Sequence, residues 1–154
     1  TYHGGLSVFL GTYAFMHDIK FITYDIKPFV YDLPKVHKLF NAVNVDYRVK
    51  NINDSILEIE EEIKKPGLSL VLCDGGDKIN EFNIFSDRIK SGDIIMAHDY
   101  ARDKETFENK IKNKLWNWWE IQYSDISDAV NKNNLKDFMR NEFEEAVWAC
   151  YSKE

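Results

Sequence analysis

The spacing of apolar and polar residues changes several times along this chain, and the changes mark its elements. The clearest block runs from Leu68 to Tyr100. Leu68-Ser69-Leu70-Val71-Leu72-Cys73 is a short, nearly all-apolar run, the pattern of a parallel strand covered on both faces. An acidic loop, Asp74-Gly75-Gly76-Asp77-Lys78, follows it. Phe82, Phe85 and Ile89 then recur at helical spacing, and Ser91-Gly92-Asp93 closes that helix with a turn. Ile94-Ile95-Met96-Ala97 reads as a second buried strand, ending in His98-Asp99-Tyr100. Two adjacent parallel strands would bring Asp74 beside His98 and Asp99, at the sheet edge where open α/β folds bind ligands.

Before this block, Leu6 to Met16 predicts a largely buried helix through Leu6, Phe9, Leu10 and Tyr13. Lys20 to Asp25 predicts a strand ending in an acid. Pro34 can open a helix carrying Val36, Leu39 and Phe40. Val45 to Val49 reads as a third strand, and Asn53-Asp54-Ser55 as the cap of a helix through Ile63. The solvated face of that helix would carry Glu58, Glu60, Glu61 and Glu62. After the block, Asp103 to Leu115 reads as a charged surface helix and Trp116 to Tyr123 as a strand. The three tryptophans of that strand are expected to wedge against helices rather than to form a stacking platform. Ser124-Asp125 would cap a further helix, and Phe143 to Tyr151 would be the last strand. Strand and helix alternate from Lys20 to Ala97. That order predicts a single α/β domain over 1–154, its sheet mostly parallel with right-handed crossovers and an antiparallel C-terminal strand.

Composition narrows the function. A net charge of -6 and a pI near 5.3 argue against a protein whose main work is holding nucleic acid. Cys73 and Cys150 both fall in apolar runs, so no disulfide framework is expected. No apolar run is long enough to span a bilayer, and no signal peptide is evident. The expected setting is cytoplasmic and reducing, with no membrane partner.

Candidate chemistry gathers at strand ends and at one helix start. Gly4 and Gly5 lead into the first helix, where backbone can approach a ligand closely. Asp25 ends the next strand 20 residues after Gly5. At that distance nucleotide-binding folds place the acid that takes ribose hydroxyls. Asp74 and the pair His98-Asp99 end the two central strands.

These motifs together resemble the class I S-adenosylmethionine-dependent methyltransferases. His3-Gly4-Gly5-Leu6-Ser7 is similar to the second half of their glycine loop, Asp25 to the ribose-binding acid, and Asp74-Gly75-Gly76 to the acidic motif after the fourth strand. More narrowly, the Asp-Gly loop, helix, Gly-Asp turn and strand ending in an acidic pair resemble the metal-dependent O-methyltransferases and cephalosporin-hydroxylase-like proteins. The resemblance implies a Rossmann-like sheet with helices on both faces, joined just after the family's first strand, so that the chain is expected to be N-terminally truncated. It implies that His3, Gly4, Gly5, Ser7, Asp25 and Asp74 hold S-adenosylmethionine, and that Asp74, Asp99 and His98 ligate magnesium or manganese. His98 stands where relatives usually carry an acid, and Asp77 where many carry a histidine. The implied reaction is methyl transfer to an oxygen of a small molecule or sugar, and a second copy of the chain is a candidate partner. His98 or Lys78 would take the hydroxyl proton, and His98 is favoured by an unperturbed pKa near operating pH. Two rivals stand beside this: an inactive methyltransferase-like binding or accessory module, and a nucleotide-sugar or NAD-type protein, against which the full Gly-x-Gly-x-x-Gly fingerprint is missing.

Overall fold

A computed structural model describes residues 4–28 and 33–154. They divide into two units, one up to Ile56 and one from Leu57. The fold is α/β, and among the described residues it has two sheets, one of two parallel strands and one of four mixed strands.

The first unit runs α1 (Gly5–Met16), β1 (Ile22–Asp25), α2 (Pro34–Ala42) and β2 (Asp46–Val49), then a 3₁₀ turn at Ile52–Asp54. Strands β1 and β2 pair in parallel, Ile22 with Asp46 through Asp25 with Val49. Pro34 occupies the first turn of α2, as expected, because that position needs no N–H donor. Phe40 is fully buried and meets the Tyr47 ring edge-on at 5.7 Å. Arg48 ties the strands together. It forks onto Asp46 and donates to the Tyr24 hydroxyl at 2.9 Å.

Helix α1 forms where its apolar run predicts, but the expected buried face is wrong. Leu6 and Tyr13 are exposed and Phe9 is 71% exposed, whereas Ser7, Gly11 and Ala14 are buried. The run is apolar all round, so periodicity could not choose a face. Close approach chose it: a Cβ on Gly11 would lie 2.4 Å from the Val45 side chain.

The second unit opens with α3 (Ile56–Ile63), which begins at the boundary. It continues with β3 (Leu70–Cys73), α4 (Lys78–Ser86), β4 (Ile94–His98), a short α5 (Lys104–Thr106), α6 (Tyr123–Lys132), β5 (Leu135–Asp137), α7 (Arg140–Glu145) and β6 (Trp148–Lys153). The strand order is β3-β4-β6-β5. β3 and β4 are parallel, Leu70 with Ile94 through Cys73 with Ala97; the C-terminal β6 runs antiparallel to both β4 and β5. Phe82, Phe85, Ile95, Ala97, Ile126 and Tyr151 form much of the core, and Phe82 meets Tyr151 edge-on at 5.8 Å. Among the described residues no helix is long and apolar enough to cross a membrane.

A buried ion pair aligns the two parallel strands. Asp93 is wholly buried; its carboxylate accepts from the Ser69 N–H at 2.7 Å and the Lys90 N–H at 3.0 Å. The Lys90 ammonium lies 2.9 and 3.0 Å from the two Asp93 oxygens and also donates to the Ile63 carbonyl at 2.8 Å. One group thus joins the end of α3, the approach to β3 and the turn before β4.

Several expectations are corrected. β3 is the edge of its sheet, not a strand covered on both faces, and Leu70 is 55% exposed. Asn53 and Asp54 lie in the 3₁₀ turn, which Asn51 caps by accepting from the Asn53 N–H at 2.9 Å, and Ser55 directly precedes α3. Glu60 is not merely solvated: it receives Arg88 at 3.1 Å. The segment expected as a surface helix is α5 followed by a π-helical turn, Phe107–Ile111, whose Phe107 and Ile111 are buried. Trp116 to Tyr123 is not a strand; it touches the β4 extension through one bridge, Tyr100 with Ile121. Ser124-Asp125 falls inside α6, where Asp125 accepts from the Gln122 N–H at 2.9 Å. The region from Phe143 divides into the end of α7 and β6, and β5 has no counterpart in the apolar pattern.

Replacing Ile95 with Ala should therefore cost about 2–5 kcal/mol in urea unfolding, because it leaves a cavity in the central strand. Leu70→Ala should cost under about 1 kcal/mol, since its side chain is already half in water. Near-equal costs for the two would mean that Leu70 is as buried as Ile95.

Candidate functional site

The site is built where β3 and β4 end together. Their register sets Cys73 opposite Ala97, so the chain leaves the sheet at Asp74 and His98 side by side. His98 Nδ1 lies 3.3 Å from Asp74 Oδ1 and 3.3 Å from Asp99 Oδ1. One donor atom from each of Asp74, His98 and Asp99 falls within 4.8 Å of the others.

Asp99 is held more firmly than its neighbours. Its backbone is left-handed, φ 58, a conformation that aspartate tolerates better than most side chains. Its carbonyl accepts from the N–H groups of Glu120 at 3.1 Å and Ile121 at 3.3 Å. The Trp116 indole N–H donates to Oδ1, and the Lys78 ammonium sits 2.9 Å from Oδ2. Asp99 does not cap the following helix; Asp103 does that, accepting from the Thr106 N–H at 2.7 Å. Asp77 has a comparable local task, accepting from the Asn80 N–H at the start of α4.

Lys78 is the first residue of α4, and its buried ammonium also reaches Glu120 at 2.6 Å. Burial alone would lower the Lys78 pKa, but hydrogen bonds to Glu120 and Asp99 outweigh it and leave it above the usual lysine value. A lysine so held keeps its proton. That leaves His98 of the two candidate proton acceptors. Its ring lies between two indoles, with centroids 4.6 Å from Trp148 and 5.5 Å from Trp116.

The loop carrying Asp74 is braced from α4. Glu81 is buried and accepts from the Gly75 N–H at 3.2 Å. A Cβ on Gly75 would lie 2.0 Å from a Glu81 oxygen, so glycine is needed for this approach. Burial pushes the Glu81 carboxyl above its ordinary 4.5, with the Gly75 and Asp77 backbone opposing it only in part. Burial also pushes both thiols up, Cys150 to about 12, which leaves neither as a ready nucleophile.

The residues expected to hold a cofactor belong to both units. His3 lies outside the described residues. Gly4 has φ 78, and a Cβ there would meet the Val36 side chain at 2.8 Å, so packing against α2 accounts for this glycine. A Cβ on Gly5 would meet nothing within 4 Å. Ser7 is buried. Asp25 ends β1, its carboxylate accepting from the Lys27 N–H at 3.2 Å. Asp74 belongs to the second unit.

A divalent cation fits the other expected ligands poorly. Magnesium favours about six oxygen donors. Here both oxygens of Asp99 are already engaged, by an indole N–H and an ammonium, and His98 offers only an imidazole nitrogen. Sequence reasoning missed Glu81, Glu120, Trp116 and Trp148. For Trp116 a signal was present in the tryptophan cluster, read there as a strand. Glu120 and Glu81 had none, since each acts across a turn that only the fold closes.

No protein-family model matches the chain, and no curated protein matches it.

Because folding raises the Glu81 pKa, the folded state holds that proton more tightly than the unfolded chain. The contribution is fully present below the ordinary value of 4.5 and is lost as pH rises through the folded value. Glu81→Gln keeps an acceptor for Gly75 and removes the titration. The stability of wild type minus that of Glu81→Gln, from urea unfolding across pH, should fall as pH rises above about 4.5. A flat or rising difference would mean the carboxyl is well hydrated.

Proposed function

We propose that the chain is an S-adenosylmethionine-dependent methyltransferase with a Rossmann-like sheet, acting on a hydroxyl of a small molecule or sugar. The observation that carries this reading is the convergence of Asp74, His98 and Asp99 where two adjacent parallel strands end. The parallel pairings and the antiparallel C-terminal strand are in keeping with it. S-adenosylmethionine, when bound, supplies an electrophilic methyl group on a sulfonium. Asp25, at the end of β1, suits paired hydroxyls.

His98 is the proton acceptor in this reading. Carboxylates beside Nδ1 favour the tautomer with its proton there, which leaves Nε2 with the lone pair. Nε2 takes the acceptor's hydroxyl proton, and Asp74 and Asp99 stabilise the imidazolium that forms. Trp116 and Trp148 fix the ring's orientation. Glu81 sets Asp74 through Gly75.

Calorimetry of the full chain with S-adenosylmethionine tests the reading. Binding is expected, and Asp25→Ala should weaken it about tenfold or more, the loss of a charged hydrogen bond. His98→Gln should leave binding unchanged and reduce transfer by about 10²–10⁴-fold. An absence of binding in wild type would reject the methyltransferase and favour the accessory module.

A further inference from the structure

The surroundings of Asp99 point to what balances charge at the site, on the reading that Asp74, His98 and Asp99 form its working edge. Asp99 is buried, yet neither oxygen is left uncommitted: Trp116 Nε1 donates to Oδ1, and Lys78 Nζ lies 2.9 Å from Oδ2. Lys78 is buried as well, and Glu120 completes its surroundings at 2.6 Å. Two carboxylates, Asp99 and Glu120, thus meet one ammonium that belongs to the first residue of α4, and Asp74 joins the cluster only through His98.

We infer that Lys78 is a tethered cation standing where the resemblance implies a divalent metal, so that the cluster operates without one. A metal arriving at Asp99 would have to displace the ammonium or lie against it. Displacement would leave a buried ammonium short of a partner, and proximity sets like charges together in a poorly hydrated place. The ligands that remain are Asp74, which is partly in water, and an imidazole, too few hard donors for magnesium.

Thermal melting of the full chain in EDTA, in excess magnesium and in excess manganese tests this, with Lys78→Met and the milder Lys78→Gln beside wild type. Wild type should melt at one temperature in all three. Both variants should melt lower in EDTA and regain part of the loss in manganese, because Asp99 and Glu120 are then unbalanced. A metal-dependent rise in wild type would overturn the inference, and so would variants that ignore metal. Should neither variant fold, manganese broadening of the His98 ring signals in wild type decides: none is expected, and selective broadening would overturn it. These outcomes are separable from cofactor binding. A metal-stabilised wild type removes the tethered cation and leaves methyl transfer standing, while failed S-adenosylmethionine binding does the reverse.

Discussion

Parallel strands have no hairpin to set their register, so something else must align β3 with β4, and here a buried charge does. Asp93 receives the Ser69 N–H just ahead of β3 and the Lys90 N–H just ahead of β4, and the Lys90 ammonium closes the group from the side. A buried aspartate is stable only when its lone pairs are satisfied, and this one has backbone and ammonium partners in fixed places. The alignment propagates four residues along both strands to Cys73 and Ala97. A slip of one residue would set Asp74 against Ala97 and leave His98 without its first carboxylate. The chemistry at one end of the strands depends on electrostatics at the other.

At the site itself, negative charge is distributed unevenly. Asp74 is partly hydrated, on a loop braced by Glu81, whereas Asp99 is buried and gripped by an indole, an ammonium and two backbone N–H groups on its carbonyl. His98 lies between a partly hydrated carboxylate and a buried one. The segment from Trp116 to Ile121, which forms no strand, supplies three of the restraints: the indole, the Glu120 carboxylate and the N–H pair on Asp99.

The order of elements in the central block could be read from the sequence, although α4 ends at Ser86, before Ile89, and β3 is less buried than its composition implies. β3 and β4 are short apolar runs bounded by turns, Asp77 begins the intervening helix, and the three site residues lie at or just past strand ends. Elsewhere the pattern was permissive. α1 is apolar on every side, and small residues were buried because a strand passes close to Gly11. The runs of tryptophan and of Phe143 to Tyr151 had strand-like composition, yet the chain turns within each, at left-handed Val147 in the second case. Leu70 shows the remaining gap: an apolar run identifies a strand without revealing whether a neighbour lies on its far side.

The backbone at Asp99 has a further consequence. Consecutive residues of a strand point to opposite faces, so a histidine and the aspartate after it should never converge on one spot. They do so here because the strand stops between them and the chain swings through a left-handed corner. Glycine would take that corner readily but brings no carboxylate, and branched residues would resist it. The point at which β4 ends is therefore a chemical variable. A relative that extended the strand by one residue, with every side chain retained, would carry the imidazole and the carboxylate to opposite faces, keeping its sheet and losing the pair.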